Sequence, residues 1–351
     1  MRLLPVVMTA AGMSTSPGIR SSPGGTSTDP VYRPDSTPAS SPAFPVDAPA
    51  TAELRRRGTL ELLPWSYSTT AHAELRSSVA EQLGVDPERL GSLHEIEAEQ
   101  GRPPRRRRRR LIMQQQARAN PAAVERLHAA YERFVCEVLA PNLAAEWGSD
   151  ETNAVDDADG GAGALTAIAY QAMPALRVSP PATQAMGRRH HDAVYGHQPG
   201  QLNYWLPLAA AWGENTLWVE PATCQRSMAA DPTGSVRADA EAEAKAVPLE
   251  GSFGDCWRFY GNLDYHSTRP NNTSGTRVSL DFRVVPGTLY TNDYAGSRRS
   301  ESGVQMFAVG TESRTGFYKI ARRDSATGEW RPAPLPGEDG GGGFGLSGCG
   351  S

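Results

Sequence analysis

The chain has 351 residues, enough to bury a substantial core in one large domain or two modest ones. Its formal net charge of -4 gives no global drive toward nucleic acid or an anionic membrane surface, and no apolar run approaches the length of a bilayer span. Hydrophobic residues make up 39% and stand beside 35 Gly and 28 Pro, a composition that predicts an ordered core carrying sizeable loose segments.

In chain order, residues 1–50 are dominated by Ser, Thr, Pro, Gly and Ala, and the first acidic residue is Asp29. Such a stretch buries too little apolar surface to offset its chain entropy, so disorder is expected. Residues 1–13, with Arg2, an apolar run and small residues, also read as an organelle-targeting peptide. The chain is otherwise read as cytoplasmic. The four cysteines, Cys136, Cys224, Cys256 and Cys349, lack zinc-knuckle or redox spacing and read as reduced thiols.

Residues 51–150 form a helical part. Leu75, Val79 and Leu83 recur at helix spacing behind Thr69 and Thr70, and Asp86-Pro87 offers a capping side chain followed by a proline at the first helical position. The run Arg105 to Arg110 reads as a solvated insertion between helices, because no aromatic residue interleaves with the arginines. Asn120 is positioned to cap a helix over 121–139. Its stripe is Val124, Leu127, Tyr131, Phe134, Val135 and Val138, and Pro141 is expected to end it. Residues 150–163 read as an acidic, glycine-rich linker.

From residue 165 the period changes to short β-rich runs at 175–178, 202–208, 216–219, 256–260 and 277–285, separated by turn residues. Helices followed by strands predict one α+β domain in which N-terminal helices brace a jelly roll, with the core at 165–290. Residues 228–247 read as a polar insert and 291–335 as a C-terminal extension with apolar segments at 305–309 and 316–320. The chain from Pro332 on, and with it the tail 336–351, is expected to be disordered.

The chemistry is carried by Arg189-His190-His191-Asp192, answered downstream by His266. His190 and Asp192 are two apart, so on an extended strand both face one side and His191 the other. Two histidines and a carboxylate form the three-ligand set that leaves open positions on a non-haem iron. If the register slips, His191 replaces His190 in the set. On the next strand Arg277 and Ser279 share a face, where a guanidinium fork and a hydroxyl suit a carboxylate, while Val278, Leu280, Phe282 and Val284 give the opposite face to the core. Asn203 and Trp205 share a face of their own strand.

His190-x-Asp192, His266 and Arg277-x-Ser279 together resemble the Fe(II)/2-oxoglutarate-dependent oxygenase superfamily. Residues 202–208 and 214–220 are similar to the phytanoyl-CoA-hydroxylase-like branch. Tyr195-Gly196-His197 and the 277–285 strand are similar to a group found among aminoglycoside antibiotic clusters. The resemblance covers residues 170–286 and departs at Glu220-Pro221-Ala222-Thr223, where the branch has a Pro-Gly-Ser-His-like turn. It implies a double-stranded β-helix of cupin-like form, Fe(II) on His190, Asp192 and His266, and 2-oxoglutarate on Arg277 and Ser279 with Asn203 in hydrogen-bonding reach. Hydroxylation of a small molecule with O2, releasing succinate and CO2, is the implied reaction, because related halogenases lack the carboxylate that Asp192 supplies. Neither a nucleic acid nor a membrane is an expected partner. A non-catalytic or differently metallated jelly-roll binding protein is the rival reading.

Overall fold

The computed structural model describes residues 54, 56, 58, 60–63, 69–99, 120–148, 165–185, 187, 189–220, 245–291 and 317–334, all within one compact unit, Ser36–Ser351. The readings made for residues 1–50, 105–110, 150–163, 305–309 and 336–351, and for most of 228–247, lie outside the described residues.

Among the described residues four α-helices lie between the first strand and the rest: α1 (Thr69–Leu83), α2 (Leu93–Glu99), α3 (Pro121–Phe134) and α4 (Ala140–Gly148). Asn120 caps α3 as expected, its side chain accepting from the Ala123 amide at 3.1 Å, and Asp86 caps the 3₁₀ turn Pro87–Ser92 through the Glu88 amide at 2.8 Å. Pro141 does not end the third helix. A π-helical turn, Val135–Leu139, runs into α4, and its wider bonding, with the Ala140 amide reaching the Val135 carbonyl, absorbs the proline's missing donor within the first turn of α4.

Among the described residues there are eleven strands: β1 (Glu61–Leu62), β2 (Ala167–Gln171), β3 (Ala175–Ser179), β4 (Leu202–Pro207), β5 (Leu217–Glu220), β6 (Val247–Pro248), β7 (Trp257–Phe259), β8 (Tyr265–Thr268), β9 (Arg277–Pro286), β10 (Tyr318–Arg323) and β11 (Trp330–Ala333), of which β3, β4, β5, β7 and β9 fall on the five expected runs. The larger sheet runs β1-β7-β4-β9-β2-β10-β11, with β3 also on β9, and the smaller runs β6-β5-β8. Every pairing is antiparallel. Pro332 and Ala333, expected in a disordered tail, instead pair with Ala321 and Ile320, because Pro332 sits on a terminal strand where a missing amide breaks no ladder.

Strand β9 organises the sheet. It lies against β4 from Leu202↔Val284 to Pro207↔Ser279, and on its other edge against β2 and β3. Its alternation is as the sequence predicts: Val278, Leu280, Phe282 and Val284 are fully buried in the main core with Leu75 and Val79 of α1 and Leu127, Tyr131 and Phe134 of α3. Phe282 stacks on Tyr204 at 5.5 Å and meets the edges of Tyr131 and Phe134. Each such side chain contributes about 1.5–3 kcal/mol of burial, which fixes the register of β9 and therefore the aim of its other face. A second cluster, Trp205, Val219, Leu249 and Phe259, joins β4 and β7 of the larger sheet to β5 of the smaller.

Candidate metal centre

The His190 and His266 backbones form an isolated antiparallel bridge, His190 N–H donating to His266 O at 3.1 Å and His266 N–H to His190 O at 2.8 Å. This brings the two rings to a centroid separation of 4.3 Å. Asp192 is not on the extended strand the sequence predicts. It opens a 3₁₀ turn, Asp192–Tyr195, closed by Gly196 at φ +74°, and its amide donates to Gly261 O at 2.7 Å. The turn swings the carboxylate between the rings, a convergence that two-residue alternation would have reached by another route. His191 faces away: its Nδ1 meets the Asn262 carbonyl at 2.9 Å and its ring packs edge-on to Tyr265.

Asp192 Oδ1 lies 3.8 Å from His190 Nε2 and 3.6 Å from His266 Nε2. Ligand bonds of about 2.1 Å put neighbouring donors roughly 3.0–3.4 Å apart, so a contraction of a few tenths of an ångström would close the set on a divalent metal. Among the described residues these three are the group of His, Cys, Asp or Glu whose ligand atoms lie close enough to share an ion. The protonation states agree. His266 Nδ1 meets the Asp264 carbonyl at 3.0 Å, which makes Nδ1 the donor and turns the Nε2 lone pair toward the carboxylate. Burial, with His190 beside it, pushes the His266 pKa down to about 4, so the ring is neutral and ready to ligate. Asp192 is fully buried, which would raise its pKa, yet Arg283, His197 and His266 hold the carboxyl well below its ordinary range.

The two carboxylate oxygens differ. Oδ2 accepts from Asn203 Nδ2 at 2.7 Å, Gln201 Nε2 at 2.9 Å and Arg283 Nε at 2.9 Å. Oδ1 is buried and accepts no hydrogen bond among the described residues. A carboxylate oxygen without a donor in the interior costs free energy unless something else binds it, and a cation between the two Nε2 atoms is what the donor set suits. Asn203, expected to reach the co-substrate, donates instead to the Asp192 carboxylate. A Cβ on Gly261 would stand 2.5 Å from the Asn203 side chain, so glycine is required for that approach.

Arg277 is buried, and its Nη1 donates to the carbonyls of Thr216 at 2.9 Å and Asn215 at 3.1 Å, which fixes the guanidinium. Ser279 Oγ is buried and has no hydrogen-bond partner among the described residues. One cavity is lined by His190, His266, Asn203, Arg277 and Arg283, together with the Arg177–Asp281 ion pair at 2.7 Å, Trp205 and Phe259. Gln201 and Arg283 are functional residues the sequence reading passed over. Both were signalled by parity: Gln201 is two from Asn203, and Arg283 continues the 277, 279 series, cross-strand from Asn203. Arg189 clamps the His190 segment to β5 through both oxygens of Glu220, at 2.6 and 2.7 Å, beneath the Tyr265 ring.

No protein-family model matches the chain. It is 31% identical over 126 residues to the streptomycin biosynthesis protein StrG of Streptomyces griseus, across 36% of this chain and 51% of StrG. The chain therefore spans about half the length of the curated relative it matches. Among solved structures it is similar to the apo non-haem monooxygenase ThoJ (17% identity, 71% of this chain and 81% of that one, TM-score 0.41). It is also similar to the non-haem α-ketoglutarate-dependent epimerase SnoN of nogalamycin biosynthesis (15%, 68% and 83%, TM-score 0.34). A third is EctD from S. alaskensis with 2-oxoglutarate and 5-hydroxyectoine (17%, 70% and 78%, TM-score 0.35). At these TM-scores the structural likeness decides neither the reaction nor the substrate.

Proposed function

We propose that the protein is an Fe(II)- and 2-oxoglutarate-dependent dioxygenase that hydroxylates a small molecule. In this reading residues 165–290 are a double-stranded β-helix core braced by the helices of 51–150. The observation that carries it is Asp192 Oδ1, buried without a hydrogen bond and facing two histidine Nε2 atoms at 3.6 and 3.8 Å. His190, Asp192 and His266 hold the metal. Arg277, which lines the cavity, and Ser279 Oγ from the same strand hold the distal carboxylate of 2-oxoglutarate in this reading. Bound Fe(II) and 2-oxoglutarate supply the activation of O2, with the balance 2-oxoglutarate + O2 + R–H giving succinate + CO2 + R–OH.

The chain's own residues do the rest. Asp192 stays ionised and the His266 ring neutral, so neither of these two ligands has to lose a proton at neutral pH to bind the metal. Trp205 and Phe259 exclude water from one wall of the cavity, and the Arg177–Asp281 pair on another suits a polar substrate with both donors and acceptors. The streptomycin-pathway relative supports a natural-product substrate. Incubation with Fe(II), 2-oxoglutarate and O2 tests the reading: formation of succinate supports it, and no succinate from folded, metal-loaded protein moves the assignment to a jelly-roll binding protein.

A further inference from the structure

We propose that Gln201, Asn203 and Arg283 form a carboxylate-holding nest that confines Asp192 to coordination through one oxygen and aims that oxygen at the metal. The inference rests on the metal reading above. Its basis is the asymmetry of the two oxygens. A structural arginine–aspartate pair commonly engages both carboxylate oxygens in parallel hydrogen bonds. Here Arg283 uses Nε on Oδ2 alone, and both amides crowd onto the same atom, with all three donors at 2.7–2.9 Å. A carboxylate has about four lone-pair sites over its two oxygens, so three donors saturate Oδ2 and leave it no capacity for a metal. Oδ1 is left with none.

The donors are themselves held. Arg283 Nη1 donates to Gln171 Oε1 at 3.1 Å, and Gln171 Nε2 donates to Met173 O at 2.7 Å. Tyr318 Oη donates to Gln201 Oε1 at 3.0 Å, and Gln201 Nε2 also reaches Asn203 Oδ1 at 3.2 Å. Gln171, Gln201, Asn203 and Tyr318 are all buried. The network therefore ties the carboxylate of a short turn to β2, β4, β9 and β10 of the larger sheet. Without it a one-turn segment would leave the carboxylate free to rotate about its last torsion, which is broad and two-fold. These are positioning residues: they reach the metal through Asp192.

The test uses the full chain and Co(II) as probe, read by its ligand-field absorbance under anaerobic conditions. Arg283→Gln is expected to weaken Co(II) binding about 10–100-fold and to alter the band shape, Gln201→Met to do so to a smaller extent, and Arg283→Lys to recover part of the loss. A second arm separates positioning from folding. In Asp192→Ala the nest still offers three converging donors, so added formate is expected to restore Co(II) affinity, and in Asp192→Ala/Arg283→Gln it is expected not to. Wild-type affinity and spectrum in both Arg283→Gln and Gln201→Met overturn the proposal, as does formate rescue that is independent of Arg283. A wild type that binds no Co(II) overturns it too, and identifies the metal reading as the failure.

Discussion

Replacing Asp192 by asparagine tests whether the fold, before any metal binds, is built around an ionised carboxylate. Two effects compete. Burial of the wholly inaccessible Asp192 favours removing its charge, and the Arg283 guanidinium at 2.9 Å favours keeping it. The carboxyl is held well below its ordinary pKa, so attraction wins and the charged form is net stabilised by folding. Breaking a buried pair by removing one partner costs about 3–5 kcal/mol, and the retained amide oxygen, still able to accept from Gln201 and Asn203, puts the expected loss near 3 kcal/mol. In urea melts with a chelator present this is a midpoint shift of about 1 M at unchanged slope. The sign with pH follows from a depressed folded pKa: the wild-type advantage is complete above the unfolded value near 3.9 and fades only as pH falls through the lower folded value. It is therefore constant between pH 5 and 8. Metal-free Asp192→Asn that is as stable as wild type, or more so, refutes the reasoning.

The buried histidines predict a second pH dependence of the metal-free protein. His72, His197 and His266 each titrate at about 4 in the folded chain against 6.5 ordinarily, chiefly through burial, so the unfolded chain binds more protons between those values. Their contribution is full above pH 6.5 and is lost as pH falls toward 4; a stability curve flat from 6.5 to 4.5 contradicts it. Phe282→Ala removes a ring stacked on Tyr204 and edged by Tyr131 and Phe134, and is expected to lower stability by about 3–5 kcal/mol in chemical denaturation. Gly261→Ala drives a methyl to within 2.5 Å of Asn203, so Co(II) affinity should fall together with stability; wild-type values for both would show the approach to be slack.

Part of the site was legible in sequence because Arg277 and Ser279 obey strand parity on β9. Arg277 and Ser279 face one way and Val278 and Leu280 the other, as β9 shows, and His190 and His266 meet as expected. What escaped was local backbone. A 3₁₀ turn at Asp192 and a π turn before Pro141 both depend on bonds made to distant or non-standard partners, Gly261 in the first case and the Val135–Ala140 pair in the second. Arg283 was hidden differently. Its parity was on the page, but an arginine near the end of a strand reads as an exposed charge until the cross-strand register to Asn203 is known. Pro332 shows the opposite error, since proline suits a terminal strand.

The central claim is that His190, Asp192 and His266 hold Fe(II) while Arg277 holds 2-oxoglutarate in the same cavity. The direct measurement is the anaerobic charge-transfer absorbance of Fe(II) with 2-oxoglutarate in wild type, Asp192→Ala and Arg277→Ala. A band is expected in wild type, its loss in Asp192→Ala, and about 10–100-fold more 2-oxoglutarate needed to form it in Arg277→Ala, from the 1.5–3 kcal/mol of a charged hydrogen bond. No band in folded, Fe(II)-loaded wild type, or an undiminished band in both variants, would contradict it.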